Sequence, residues 1–125
     1  MLNIFDKQLL YITRGNSVEI LITLTDTDTG LPIAIGEGDK VLFTAKNQNG
    51  VTVIKKVLTS TDLAEDGHSL IMNILPIETD ITTGEYKYDV LLVTLEGQAV
   101  TFISSTMIIT DAVGLYTDLG GDSGE

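Results

Sequence analysis

The sequence predicts an all-β fold, an antiparallel β-sandwich of about seven short strands. Three observations carry this expectation. Apolar and polar residues alternate in short runs, the period of a strand with one face in a core. Gly, Asn, Asp and Pro separate these runs at short intervals. No stretch has the spacing of an amphipathic helix, and no internal repeat of solenoid or propeller length occurs. With 125 residues, 43% of them hydrophobic, the chain suits one domain with a single core.

The first strand is expected over Leu9 to Thr13, ended by a tight turn at Arg14-Gly15-Asn16. Ser17 to Thr25 follows, with Val18, Ile20, Ile22 and Leu24 on one face. Asp26 to Gly38 reads as a long loop, broken by Pro32. Lys40 to Lys46 is the next strand, with Val41, Phe43 and Ala45 inward. Asn47-Gln48-Asn49-Gly50 closes a hairpin, since Asn-Gly favours positive φ. Val51 to Thr59 pairs back. Its pattern breaks at Lys55-Lys56, as an edge strand's does, and lysines there discourage open-ended pairing. Ser60 to Ser69 is polar, with one helical turn expected at Asp62 to Glu65. Ser69 to Leu75 alternates again, with Leu70, Met72 and Ile74 inward, and Pro76 to Asp80 reads as a turn.

The stretch Thr83 to Val93 anchors the chain, with Tyr86, Tyr88, Val90 and Leu92 on one face and a glycine before them. In immunoglobulin-type sandwiches the corner entering the sixth strand carries a tyrosine two residues before a disulfide cysteine. Tyr86 takes that corner position, and Tyr88 stands where the cysteine would be. Both are assigned structural roles. Glu96-Gly97-Gln98 then turns the chain into Ala99 to Ile103, and Ser104-Ser105 reads as a kink before Thr106 to Thr110. From these boundaries the domain is assigned to residues 1–113. Residues 114–125, rich in Gly and acid, read as a tail.

Charge bounds the function. Eighteen acidic residues face 7 basic ones, for a net charge of −11. No basic stripe of a nucleic-acid binder is visible, and anionic membrane surfaces are disfavoured. Met1 to Leu10 lacks the basic start and apolar run of a signal peptide, and no apolar stretch reaches the length of a membrane span. The chain has no cysteine, which excludes thiolate metal sites and cysteine nucleophiles.

Catalytic motifs are missing too. His68 is the lone histidine and follows Asp66-Gly67 in a polar loop, where a solvated surface residue is expected. No nucleophile elbow and no phosphate-binding glycine loop accompanies it. Asp26, Asp28 and Glu37 fall at the first, third and twelfth positions of a calcium loop. Leu31, however, occupies the position that needs glycine, and Gly30 replaces a ligand. No catalytic residue, no cofactor and no metal ligand is therefore assigned.

Two segments resemble the amino-terminal domain of phage baseplate upper proteins and related tail proteins. One is Thr13-Arg14-Gly15-Asn16-Ser17 with its following strand and Gly38 to Lys46. The other is Ile74-Leu75-Pro76 and Glu78-Thr79-Asp80 with Gly84 to Val90. The similarity runs from about Leu9 to Val113. It implies an immunoglobulin-like sandwich serving as a structural module of a virion tail, made in the host bacterial cytoplasm and docked on other tail or baseplate proteins. It supplies no catalytic residues. In that family later domains of a longer chain bind the receptor, and this sequence departs by ending just after the sandwich.

The expected function is therefore a non-catalytic, protein-binding module of a phage or prophage tail. The alternative is a carbohydrate- or cell-surface-binding sandwich, for which Phe5, Tyr11 and Tyr116 are the aromatics near the ends. If Val41 and Phe43 face the core, Leu42 faces out; if Val90 and Leu92 do, Leu91 and Val93 face out. Leu42, Leu91 and Val93 form the candidate partner face. The occupant expected there is another tail protein, a second copy, or the chain's own Leu115, Tyr116 and Leu119.

Overall fold

The computed structural model describes the backbone of residues 2–4 and residues 9–26 and 28–111 in full. The proposed tail at 114–125, with Leu115, Tyr116 and Leu119, lies outside the described residues, as does the side chain of Phe5. The chain forms β1 (Leu2–Ile4), β2 (Leu10–Thr13), β3 (Val18–Thr23), β4 (Lys40–Lys46), β5 (Thr52–Leu58), β6 (Ser69–Ile74), a short helix α1 (Pro76–Thr79), β7 (Gly84–Val93) and β8 (Ala99–Thr110). These strands make an all-β, immunoglobulin-like sandwich of two sheets. One has three strands in the order β1-β3-β6, the other five in the order β2-β8-β7-β4-β5.

The alternation read in the sequence places the core correctly. Ile20 and Ile22 of β3 and Leu70, Met72 and Ile74 of β6 line the inner face of the smaller sheet. Val41, Phe43 and Ala45 of β4, and Tyr86, Tyr88, Val90 and Leu92 of β7, line the larger. The chain changes sheet five times: from β1 to β2, at the β2–β3 turn, through the 24–39 loop, through the 59–68 loop and through the α1 segment. These crossings set the two faces together without a disulfide.

Four expectations need correction. The strand at Leu10–Thr13 is not the first, because Leu2–Ile4 precedes it and pairs parallel to β3. Thr106 to Thr110 is not a separate strand after a kink. β8 runs unbroken through Ser104-Ser105, because Ser105 pairs opposite Tyr88 and Ser104 opposite Asp89. The irregularity lies instead at Phe102: Val90 pairs with Ile103 and Leu91 with Thr101, so Phe102 is the extra residue of a bulge and packs on the core. The helical turn lies at Ser60–Asp62, not Asp62 to Glu65. Thr59 caps it: its hydroxyl accepts from the Thr61 amide (3.3 Å), and its amide donates to the Asp62 carboxylate (2.9 Å). Finally, Pro76–Thr79 closes one helical turn, which proline at its start favours.

That turn is a hub between layers. The Thr79 hydroxyl is fully buried and donates to the Asn16 carbonyl at 2.7 Å, with the Pro76 carbonyl as a second acceptor at 3.2 Å. Next to it, the Arg14 guanidinium bonds Asp80 at 3.0 Å. The β2–β3 turn is thereby held to the β6–β7 connection. Among the described residues no helix is long and apolar enough to cross a membrane.

β5 is an edge strand, and its broken pattern has a structural cause. Ile54 and Leu58 point inward, and Lys56 between them lies opposite buried Phe43. Its ammonium reaches the Glu78 carboxylate of α1 at 2.6 Å, both side chains being mostly covered. The same oxygen accepts from the Leu75 amide at 2.8 Å. An inward-pointing charge on an edge strand opposes pairing with a foreign strand, because that strand would strip the charge of its remaining water.

Candidate functional site

β4 and β7 lie side by side, so their outward residues are set by register. Leu42 is the direct cross-strand neighbour of Leu91, and Val93 sits two residues further along β7, opposite Lys40. All three are half-buried. The row extends beyond them: Val57 of β5 pairs with Leu42 on its other side and is 51% exposed. Val57, Leu42 and Leu91 thus form a continuous apolar strip across three strands. Sequence reading misses Val57, because the inward turn of Lys56 hides which residues of β5 share a face.

The same alternation puts Lys40, Leu42, Thr44 and Lys46 of β4 on this outer face, with Lys55 and Val57 of β5 and Glu85, Lys87 and Asp89 of β7. The sequence shows no basic stripe, yet among the described residues four lysines share this surface with two carboxylates. Lys46 and Lys87 are direct cross-strand partners. Among the described residues none of the four lysines is in an ion pair, and Lys87 bonds only the Thr106 hydroxyl, at 3.3 Å.

On the inner side the two tyrosines differ. The Tyr86 hydroxyl donates to the Thr82 carbonyl at 2.5 Å, the geometry of a tyrosine corner. Tyr88 is buried and stacks on Phe43, with ring centres 5.3 Å apart. Burial pushes its hydroxyl up to about 12, against a hydrogen bond with Ser105, so it stays neutral. The Tyr88 and Phe43 rings both stand on the inner face of the five-stranded sheet, on neighbouring strands.

The remaining candidates are structural in their geometry. A groove of about 580 Å³ lies where the end of β3 faces the start of β8. Among the described residues Asp26 is its one titratable lining residue, and its carboxylate already accepts from the Asp28 amide (2.7 Å) and the Thr29 amide (3.3 Å). That pattern is a turn capped by its own aspartate. Among the described residues no group of three carboxylates or histidines is placed to hold a metal ion; Thr27 of this loop lies outside them. His68 is half-exposed, with its Nδ1 3.7 Å from Asp66. Asp66 is occupied in shaping the loop. The amide of Ser69 first, then that of His68, lowers its carboxyl from 3.8 to about 2. Of the aromatics near the ends, Tyr11 is 59% exposed on β2 and stands apart from the groove.

No protein-family model and no curated protein matches the chain. Among solved structures, the fibronectin(III)-like modules of Clostridium thermocellum CbhA are 12% identical, over 90% of this chain and 99% of theirs, with a TM-score of 0.44. CopC from Methylosinus trichosporium OB3b is 12% identical over 67% of this chain and 86% of its own, with a TM-score of 0.41. At this level neither neighbour says what this chain does.

Proposed function

We propose that this domain is a non-catalytic, protein-binding module of a phage or prophage tail or baseplate, made in the bacterial cytoplasm and docked through the outer face of its five-stranded sheet. The observation that carries the docking face is the apolar strip of Val57, Leu42 and Leu91, flanked by Val93. Single exposed apolar residues are ordinary, but a contiguous strip on a strongly acidic domain favours an interaction surface. The tail context rests on the resemblance of the Thr13 to Lys46 and Ile74 to Val90 segments. A rigid sandwich with tied turns suits a scaffold, since it presents a face without ordering cost on binding.

Leu91→Lys tests the face. Covering a leucine contributes roughly 1.5–3 kcal/mol, so the variant should lose docking to the tail proteins encoded beside it. Circular dichroism first establishes that the variant folds. Unchanged assembly by a folded variant moves the interface off this sheet. Loss of folding shows that Leu91 is already covered within the domain. Tail genes on both sides of the coding gene are expected; secreted glycan enzymes there would refute the tail context.

A further inference from the structure

We infer that the occupant of this face is a second copy of the chain, docking through its acidic loop end. The inference rests on the docking reading above and names the partner.

Charge on this domain is segregated. The formal net charge is −11, yet the outer face of the five-stranded sheet carries Lys40, Lys46, Lys55 and Lys87 against Glu85 and Asp89. Lys46 and Lys87 stand directly opposite each other, an arrangement that destabilises a sheet unless an anion lies over it. Beside them runs the apolar strip. The surface therefore fits a partner that offers carboxylates around exposed apolar side chains.

The opposite chemistry sits at one end of the same molecule. The 24–39, 59–68 and 94–98 loops meet there: Asp39 of the first accepts from the Leu95 amide of the third at 3.0 Å, and Leu63 of the second bridges to Leu70 at the start of β6, which pairs with the end of β3. Asp28, Glu37, Glu65 and Glu96 are exposed, and their carboxylates accept no hydrogen bond from the described residues. Between them project Leu31, 63% exposed, and Leu95, 73% exposed. Lysines around apolar residues on the face match carboxylates around leucines on the end. The face and the end are different patches, so the contact is heterologous and propagates as a ring or a row of copies. Net charge opposes such contact at long range. At physiological ionic strength, however, repulsion beyond about 8 Å is screened while touching pairs persist.

Sedimentation velocity of the full chain over a wide concentration range reads the association, and the wild type is expected to associate. Lys46→Glu with Lys87→Glu on the face, and Glu37→Lys with Glu96→Lys at the loop end, are each expected to weaken it by about tenfold or more. Mixing the two double variants is expected to restore association, because the mixture pairs an intact face with an intact end. Carbodiimide cross-linking of mixed isotopically light and heavy chains should join these lysines to these carboxylates between chains. All four positions are exposed, and circular dichroism checks each fold. A wild type that stays monomeric overturns the inference, as does association that neither double variant moves. Cross-links confined within one chain to Asp118, Asp122 or Glu125 also overturn it and put the chain's own acidic end on the face. Binding of duplex DNA by a monomeric wild type overturns it as well. A monomeric wild type whose Leu91→Lys variant loses tail-protein docking removes only the second copy as occupant and leaves the docking face standing.

Discussion

Replacing Tyr86 by phenylalanine removes one oxygen and keeps the ring, so it isolates the corner bond from packing. The hydroxyl donates to the Thr82 carbonyl, closing the turn between α1 and β7. The ring is buried, but Thr82 is exposed. Its carbonyl can therefore take a water when the hydroxyl is gone, and no acceptor is left dry. The expected cost is that of an ordinary hydrogen bond, about 0.5–1.5 kcal/mol. Tyr86→Ala also removes the ring from among Met107 and the inner-face residues of β7. Its cost should rise to roughly 3–5 kcal/mol. Chemical denaturation of wild type and both variants measures these values. In thermal melts each kcal/mol should lower the midpoint by about 4 °C in a domain of this size. A Tyr86→Phe variant as stable as wild type would refute the corner and leave Tyr86 a packing role. A loss as large for phenylalanine as for alanine would show a dry acceptor that the exposure of Thr82 contradicts.

Gly38 has φ +92°, and a Cβ there would meet the Leu95 side chain at 2.7 Å. Gly38→Ala should cost about 1–3 kcal/mol. Adding Leu95→Ala should recover the part due to contact but not the part due to φ, as a double-mutant cycle in denaturant would show. Acid should destabilise the fold through Asp66 and Glu78. Burial raises the Glu78 pKa, but the Leu75 amide and Lys56 outweigh it and hold it below its ordinary value. Both groups thus bind fewer protons folded than unfolded. Their contribution is full above the ordinary carboxylate range near pH 4 and is lost as pH falls through the folded value, about 2 for Asp66. Denaturation midpoints across this window should fall, and the fall should be shallower in Asp66→Asn. Calcium should leave the melting temperature unchanged relative to a chelator, because the Asp26 loop is closed by its own amides. A clear rise with calcium would mean that the native loop binds it.

Local alternation marks which side of each long strand is buried. A strand's period is two, so a buried face is written as every second residue. That is why Val41, Phe43 and Ala45, or Tyr86, Tyr88, Val90 and Leu92, are legible without coordinates. Turns are legible for a similar local reason, since Asn47 to Gly50 needs residues that tolerate positive φ. Tyr86 was legible as a corner because its acceptor lies only four residues away. Pairings between distant segments leave no such trace. β2 joins β8 in parallel across almost the whole chain, and nothing in either segment names the other. Ser105 reads as a break because a hydroxyl is not an apolar residue; only its place opposite Tyr88 makes it part of the inner face. Lys56 reads as an interruption because its partner, Glu78, comes from another layer. The docking face is the extreme case. Leu42 and Leu91 could be assigned outward one strand at a time, but the pairing of Leu42 with both Leu91 and Val57, and the meeting of Lys46 with Lys87, depend on register between strands. A one-residue slip would send every one of those side chains to the core, so only the packed sheet decides the chemistry of its surface.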